Sequence, residues 1–194
     1  KVKKDSLRDE ALSSLLGQLL LKISLISDQN LASMVRRALP LIEQNLDAVE
    51  DGWSSFPTQV VHKDLWPFNV VYLDDKVKAV LDPDSALYLP RIRDLAYSIW
   101  CFATRTPDGE IEPPDLAKVD LYLRTYILQQ TLHREEIEFL PTAMVRVWVE
   151  DFLNFTLNAD ITRDYWAGLD KKIKDLQLAV RCRDSLQSLI CSVI

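Results

Sequence analysis

Gln59-Val60-Val61-His62-Lys63-Asp64-Leu65-Trp66-Pro67-Phe68-Asn69-Val70-Val71-Tyr72-Leu73-Asp74-Asp75-Lys76-Val77-Lys78-Ala79-Val80-Leu81-Asp82-Pro83-Asp84 is the stretch on which the fold turns. Gln59 to His62 reads as a short strand. Asn69 to Leu73 and Val77 to Leu81 are β-rich runs around Asp74-Asp75-Lys76, a hairpin signature. A hairpin returns the end of its second strand beside the loop that precedes its first. Asp64, Asn69 and Asp82 therefore converge although they are far apart in sequence. Two carboxylates and an amide oxygen at strand ends suit a hard cation that keeps waters and phosphate ligands, which points to Mg²⁺.

Outward from this stretch the period changes from two to 3.6. Before it, Leu12, Leu15, Leu16, Leu19, Leu20 and Ile23 predict one amphipathic helix. Leu31, Val35, Leu39, Ile42, Leu46 and Val49 predict a second, which Pro40 should kink or split. After it, Leu95–Ala103 and Leu116–Leu132 read as helices, separated by a loop marked by Pro107, Asp108, Gly109, Pro113 and Pro114. Pro141 is expected to open a long helix through Val145, Trp148, Val149, Phe152 and Phe155. Asp164 to Ile194 gives one or two closing helices. The expected class is mainly α with a small β-hairpin insert (α+β), spread over residues 1–194 as one unit without a second domain.

Composition narrows the function classes. Only 4 of 194 residues are glycine, well below the usual share of about 7%. That argues against a dinucleotide-binding fold, a phosphate-binding glycine loop or a turn-rich β-sandwich. A net charge of −6 gives no electrostatic footprint for nucleic acid or an anionic membrane. No apolar run reaches membrane-span length. Cys101, Cys182 and Cys191 form no metal-type pair and read as free thiols of a reducing cytoplasm. The first residue is Lys1, not methionine, which leads to the expectation that the chain begins inside a longer gene product.

His62-Lys63-Asp64-Leu65-Trp66-Pro67-Phe68-Asn69 resembles the catalytic loop of the kinase-like fold, His-x-Asp-x-x-x-x-Asn. More narrowly it is similar to the aminoglycoside phosphotransferase and choline kinase superfamily. There the loop is followed by strand residues such as Val70-Val71-Tyr72, by a metal loop like Leu81-Asp82-Pro83-Asp84, and by an Asp-Leu-Ala such as Asp94-Leu95-Ala96. The motifs cover residues 59 to 104, in the expected order. The resemblance implies phosphoryl transfer from ATP, as co-substrate with Mg²⁺, to an alcohol. It makes Asp64 the catalytic base and Asn69 and Asp82 the metal-holding residues. His62 and Asp94 become structural: the first packs the loop against the metal segment, the second accepts backbone N–H bonds from the loop. Asp84 is balanced between assisting the metal and capping a turn.

Two departures stand out. Lys63 replaces a small residue beside the base, where an inward ammonium would hold Asp64 ionised or contact a phosphate. Pro83 replaces an aromatic and stiffens the metal loop. The resemblance also implies an N-terminal β-rich lobe with a phosphate-covering loop and a Lys–Glu pair. Nothing of that kind is legible in residues 1 to 61, so the chain reads as the C-terminal, substrate-binding lobe alone.

The expected partners are a small-molecule substrate, cationic if Glu150, Asp151, Asp160 and Asp164 line its pocket, and the missing lobe. A solvated helix face is the better reading of those four acids. His133 reads as a surface residue, and Trp53, Trp100, Trp148 and Trp166 as core or interface rather than a ligand cage. The alternative function is a non-catalytic kinase-like binding module. A metal-dependent hydrolase built on His62, Asp64 and Asp82 is disfavoured, because two histidines are few for such a site.

Overall fold

The structure is a computed structural model that describes residues 11–26, 28–106, 109–158 and 163–193. Asp160 lies outside them, as do the side chains of Asp164 and Trp166. The described residues form six α-helices and four short strands: α1 (Leu12–Leu25), α2 (Gln29–Glu50), β1 (Thr58–Val61), β2 (Val70–Leu73), β3 (Lys76–Val80), β4 (Leu87–Pro90), α3 (Ile92–Thr104), α4 (Leu116–Gln129), α5 (Arg134–Asn158) and α6 (Arg163–Cys191). The mainly helical α+β class follows directly from this order.

The apolar spacing works as the sequence predicts. Leu12, Leu15, Leu16, Leu19 and Ile23 bury one stripe of α1. Leu20 falls outside that stripe and is 45% exposed. Asp28 caps α2, its carboxylate accepting from the N–H groups of Asn30 and Leu31. Pro40 does not split α2, which is continuous from Gln29 to Glu50. Pro40 and Arg36 both face solvent, so the carbonyl that proline leaves without a helical donor can be hydrated.

Helix α5 is the hub, packing on α6, α3, α1 and α2. Every residue from 143 to 150 is buried, the pattern of a helix enclosed on all sides. It begins seven residues before Pro141, which lies inside it. The early start has a local cause. The Glu136 carboxylate reaches back to accept the His133 N–H at 2.9 Å, one half of a capping box. Arg91 holds the same carboxylate at 2.8 and 2.6 Å. At the other end, the Lys22 ammonium donates to the carbonyls of Thr156 and Leu157, which a helix C-terminus leaves free. Trp53, Trp100 and Trp148 are all core, and His133 is exposed. The closing segment is one helix, α6.

The strands form two antiparallel pairs. β2 and β3 make the expected hairpin, with Leu73 opposite Lys76 and the two-residue turn at Asp74-Asp75. Both turn residues have positive φ, 50° and 56°, as this tight turn requires. β1 pairs with β4 from Thr58↔Pro90 to Val61↔Leu87. β4 was not legible in advance. Its register sets Leu87 beside the end of β1 and Pro90 beside its start, where the Arg91 N–H donates to the Pro57 carbonyl and leads into α3.

Candidate active site

His62, Lys63 and Asp64 follow the end of β1, opposite the start of β4. Asp94, in the first turn of α3, binds the backbone of this loop with both oxygens. It accepts the His62 N–H at 2.5 Å and the Lys63 N–H at 2.8 Å. The structural role expected of Asp94 is therefore what the geometry shows. His62 closes the other side: its Nε2 lies 2.8 Å from the Leu81 carbonyl, and its Nδ1 accepts the Asp64 N–H at 3.3 Å. Those partners assign the proton to Nε2.

Asp64 is thereby fixed, and its carboxylate is held at both oxygens. Tyr97 donates to Oδ1 at 2.7 Å and Asn69 Nδ2 donates to Oδ2 at 2.8 Å. Asn69 Nδ2 also donates to the Asp64 carbonyl at 2.9 Å. Tyr97 was missed in the sequence. Burial pushes its phenol pKa up, and the Asp64 carboxylate raises it further, so it stays a donor. The signal was present in the spacing. Tyr97 lies three residues after Asp94, hence on the same face of α3 one turn on.

With its amide N–H₂ turned to Asp64, Asn69 keeps Oδ1 for another partner. The hairpin then brings Asp82 close through the backbone. The Leu81 N–H donates to the Asn69 carbonyl at 2.8 Å, while the Leu81 carbonyl faces His62. Asp82 follows at once, exposed, with φ 59°. A non-glycine residue in the left-handed region is uncommon and points to function more often than a relaxed backbone does. Asp84 sits in the next short turn, also exposed. Among the described residues no three His, Cys, Asp or Glu side chains gather closely enough to hold a metal by themselves. Asn69 Oδ1 and Asp82 are a sparse oxygen set. That set fits Mg²⁺, which takes one or two carboxylates and completes its shell with phosphates and waters.

Lys63 does not point at the base. Its ammonium pairs with Glu150 of α5 at 3.0 Å. Arg93 joins the same carboxylate through Nε at 3.1 Å and donates to the Lys63 carbonyl at 2.9 Å. Glu150 is 6% exposed, so neither a solvated face nor a cationic-substrate pocket describes it. Burial works to raise its pKa, but Arg93 first and Lys63 second outweigh that and bring it to about 2. Asp151 is paired with Lys172 at 2.5 Å. Lys63 also has φ 70°, which explains why a small residue is the usual choice there.

A rigidly held aspartate, an amide with one free oxygen and a strained aspartate at a hairpin end make a kinase-like site, the kind that positions a hydroxyl and a metal-bound phosphate. The sequence profile of the phosphotransferase enzyme family APH matches residues 8–141, and the chain belongs to that family. Two homoserine kinases are similar to it. That of Granulibacter bethesdensis is 30% identical over 138 residues, 63% of this chain and 40% of its own length. That of Zymomonas mobilis is 39% identical over 64 residues, 31% of this chain and 20% of its own length. The chain thus spans well under two thirds of the relatives it matches. Among the described residues no helix is long and apolar enough to cross a membrane.

Proposed function

We propose that this chain is the catalytic-loop and acceptor-binding lobe of an ATP-dependent kinase that phosphorylates a small-molecule alcohol in the cytoplasm. The observation that carries the reading is the Asp64 carboxylate, held at one oxygen by Tyr97 and at the other by Asn69. Phosphoryl transfer asks for positioning and charge neutralisation rather than covalent catalysis. Asp64 orients the acceptor hydroxyl and takes its proton as the new O–P bond forms and the bond from the γ-phosphorus to the bridging oxygen breaks, releasing ADP. Tyr97 and Asn69 are positioning residues that keep the carboxylate from rotating. Asn69 Oδ1 and Asp82 would hold Mg²⁺, which neutralises the nucleotide phosphates when bound. Asp84, two residues on, sits in the short turn that follows Asp82.

The half of the nucleotide site that this chain does not carry belongs to an N-terminal lobe. An apolar surface around the hairpin supports that partner: Val60, Phe68, Tyr72, Leu73, Val77, Val80, Leu81 and Tyr88 are each between 46% and 70% exposed. Large apolar side chains left open in such number mark an interaction surface. For the acceptor, the names of the relatives favour homoserine. A polycationic aminoglycoside is less favoured, because Glu150 and Asp151 are already committed to cations of the chain itself.

The test is ADP release from Mg²⁺–ATP by the protein that carries this chain, on addition of L-homoserine or a panel of alcohols. Asp64→Ala is expected to lower turnover about 10²–10⁴-fold, the range for loss of a general base. A loss no larger than for Asp75→Ala would overturn the assignment.

A further inference from the structure

Three charged side chains meet beside the catalytic loop. Arg93 and Glu150 are both buried, and the Lys63 ammonium joins Glu150 from the loop. Burying an ion pair is costly, and apolar residues of the same volume often serve stability as well or better. The cluster therefore needs a use beyond holding the core together.

That use is visible in one peptide group. The peptide that joins Lys63 to Asp64 is gripped at both ends. Arg93 Nη1 donates to its carbonyl oxygen at 2.9 Å, and its N–H donates to His62 Nδ1 at 3.3 Å. Lys63 has φ 70°, a conformation that a residue with a Cβ leaves unless its neighbours hold it. Leaving it means turning a peptide group that flanks Lys63. Asp94 pins the group before the Lys63 Cα, through its N–H. Arg93 pins the carbonyl of the group after it, the one that carries Asp64.

Arg93 is fixed in turn. Its Nε and Nη2 face the two oxygens of Glu150 at 3.1 and 3.4 Å, a two-pronged contact that sets the plane of the guanidinium. The guanidinium also lies 5.9 Å from the centre of the Tyr97 ring. Nη1 is left for the loop. Arg93, Asp94 and Tyr97 stand at i, i+1 and i+4 on α3, so they share one face. They take the Lys63 carbonyl, the loop N–H groups and the Asp64 carboxylate respectively.

We propose that Arg93, seated by Glu150, is a positioning residue of the base. It fixes the Lys63–Asp64 peptide and so aims the Asp64 carboxylate at the acceptor hydroxyl. The inference rests on the phosphotransferase reading and deepens it: the machinery of the site extends into α5, although Glu150 touches no reacting group.

The experiment is steady-state kinetics on the protein that carries this chain, with Mg²⁺–ATP and L-homoserine or whichever alcohol of the panel it phosphorylates. All proteins are assayed well below their melting temperatures. Arg93→Lys keeps a cation for Glu150, but one ammonium cannot span Glu150 and the Lys63 carbonyl. It is expected to lower kcat about 10²-fold, the scale of a misplacement of about 1 Å, with both KM values within about twofold of wild type. The matched control is Arg105→Lys. Arg105 is on the same chain segment, 6% exposed against 5% for Arg93, and paired with a buried Asp175 at 2.7 Å. It should lower the melting temperature comparably and keep kcat within about threefold, because it does not touch the loop. Glu150→Asp keeps the charge and shortens the reach by one methylene. It is expected to lose kcat about fivefold, again without a change in KM.

Equal kcat losses in Arg93→Lys and Arg105→Lys would overturn the proposal, since loss of stability alone would then explain both. A kcat within about twofold of wild type in Arg93→Lys overturns it too, as does a loss that appears in KM instead. If Arg93→Lys does not fold, Glu150→Asp decides by the same criteria, and failure of both to fold would make the cluster purely structural. In all these cases an active wild type still upholds the kinase reading. A wild type that transfers phosphate to no alcohol would end that reading, and this proposal with it.

Discussion

Residues 143 to 150 of α5 are all buried, and residues 71 to 85 around the hairpin are all exposed. Both stretches are rich in apolar side chains. Trp148 is 1% exposed, whereas Leu73 is 58% and Val77 is 57%. The difference shows that apolar content does not decide burial. Partners do, and α5 finds them in α1, α2, α3 and α6. The hairpin pairs with itself and turns the rest of its surface outward. The catalytic loop is the seam between the two regions. Its backbone is tied to α3 through Asp94, the Lys63 side chain ties it to α5, and its far side opens onto the hairpin.

The largest effect that could break this contrast is in the core. Trp148→Ala is expected to lower unfolding stability by about 3–5 kcal/mol, read from the urea midpoint. Tyr72→Ser in the hairpin, measured on these 194 residues alone, is expected to change it by less than about 0.5 kcal/mol. Similar losses for both would mean that the hairpin is packed in solution and the contrast is false.

The seam should answer to acid. Glu150 has a pKa near 2 in the folded protein, below its ordinary value of 4.5. A depressed folded pKa gives stability that is present in full above about 4.5 and lost as pH falls through 2. Urea midpoints from pH 6 to pH 2 should therefore fall more steeply in the wild type than in Glu150→Gln. The variant starts lower at neutral pH, by about 3–5 kcal/mol, because it leaves Arg93 and Lys63 without their counter-charge. Parallel pH curves would show that the pair does not brace the loop. The smallest effect belongs to the turn. Asp75→Gly, at φ 56°, should raise stability by about 0.5 kcal/mol by giving the left-handed position its preferred residue.

The chemistry was more legible than the architecture that holds it. Asp64, Asn69 and Asp82 announce themselves as polar residues at the ends of a period-two stretch, and the hairpin that gathers them follows from its turn. The four residues of β4 carry too little pattern to be read, and only the pairing with β1 reveals them. The interior prolines mislead for a related reason. Pro40 and Pro141 look like boundaries locally, but a solvated carbonyl in one case and the Glu136 cap in the other leave the helices intact. The fate of Lys63 was beyond reach, because its partner Glu150 is distant in sequence and Arg93 competes for the same carboxylate. Charges that pair across a fold have no period.

Position 63 has two good answers and a gap between them. Glycine would take the left-handed backbone without strain. A long cation accepts the strain and recovers it through Glu150. Alanine and valine have neither remedy, since they bear a Cβ and cannot reach the acid. In a saturation library selected for the working enzyme, tolerated residues here should split into glycine at one extreme of size and lysine or arginine at the other. A stepwise evolutionary path between them would cross a valley of weaker proteins, while Glu150 should stay fixed on both sides because the buried Arg93 needs it.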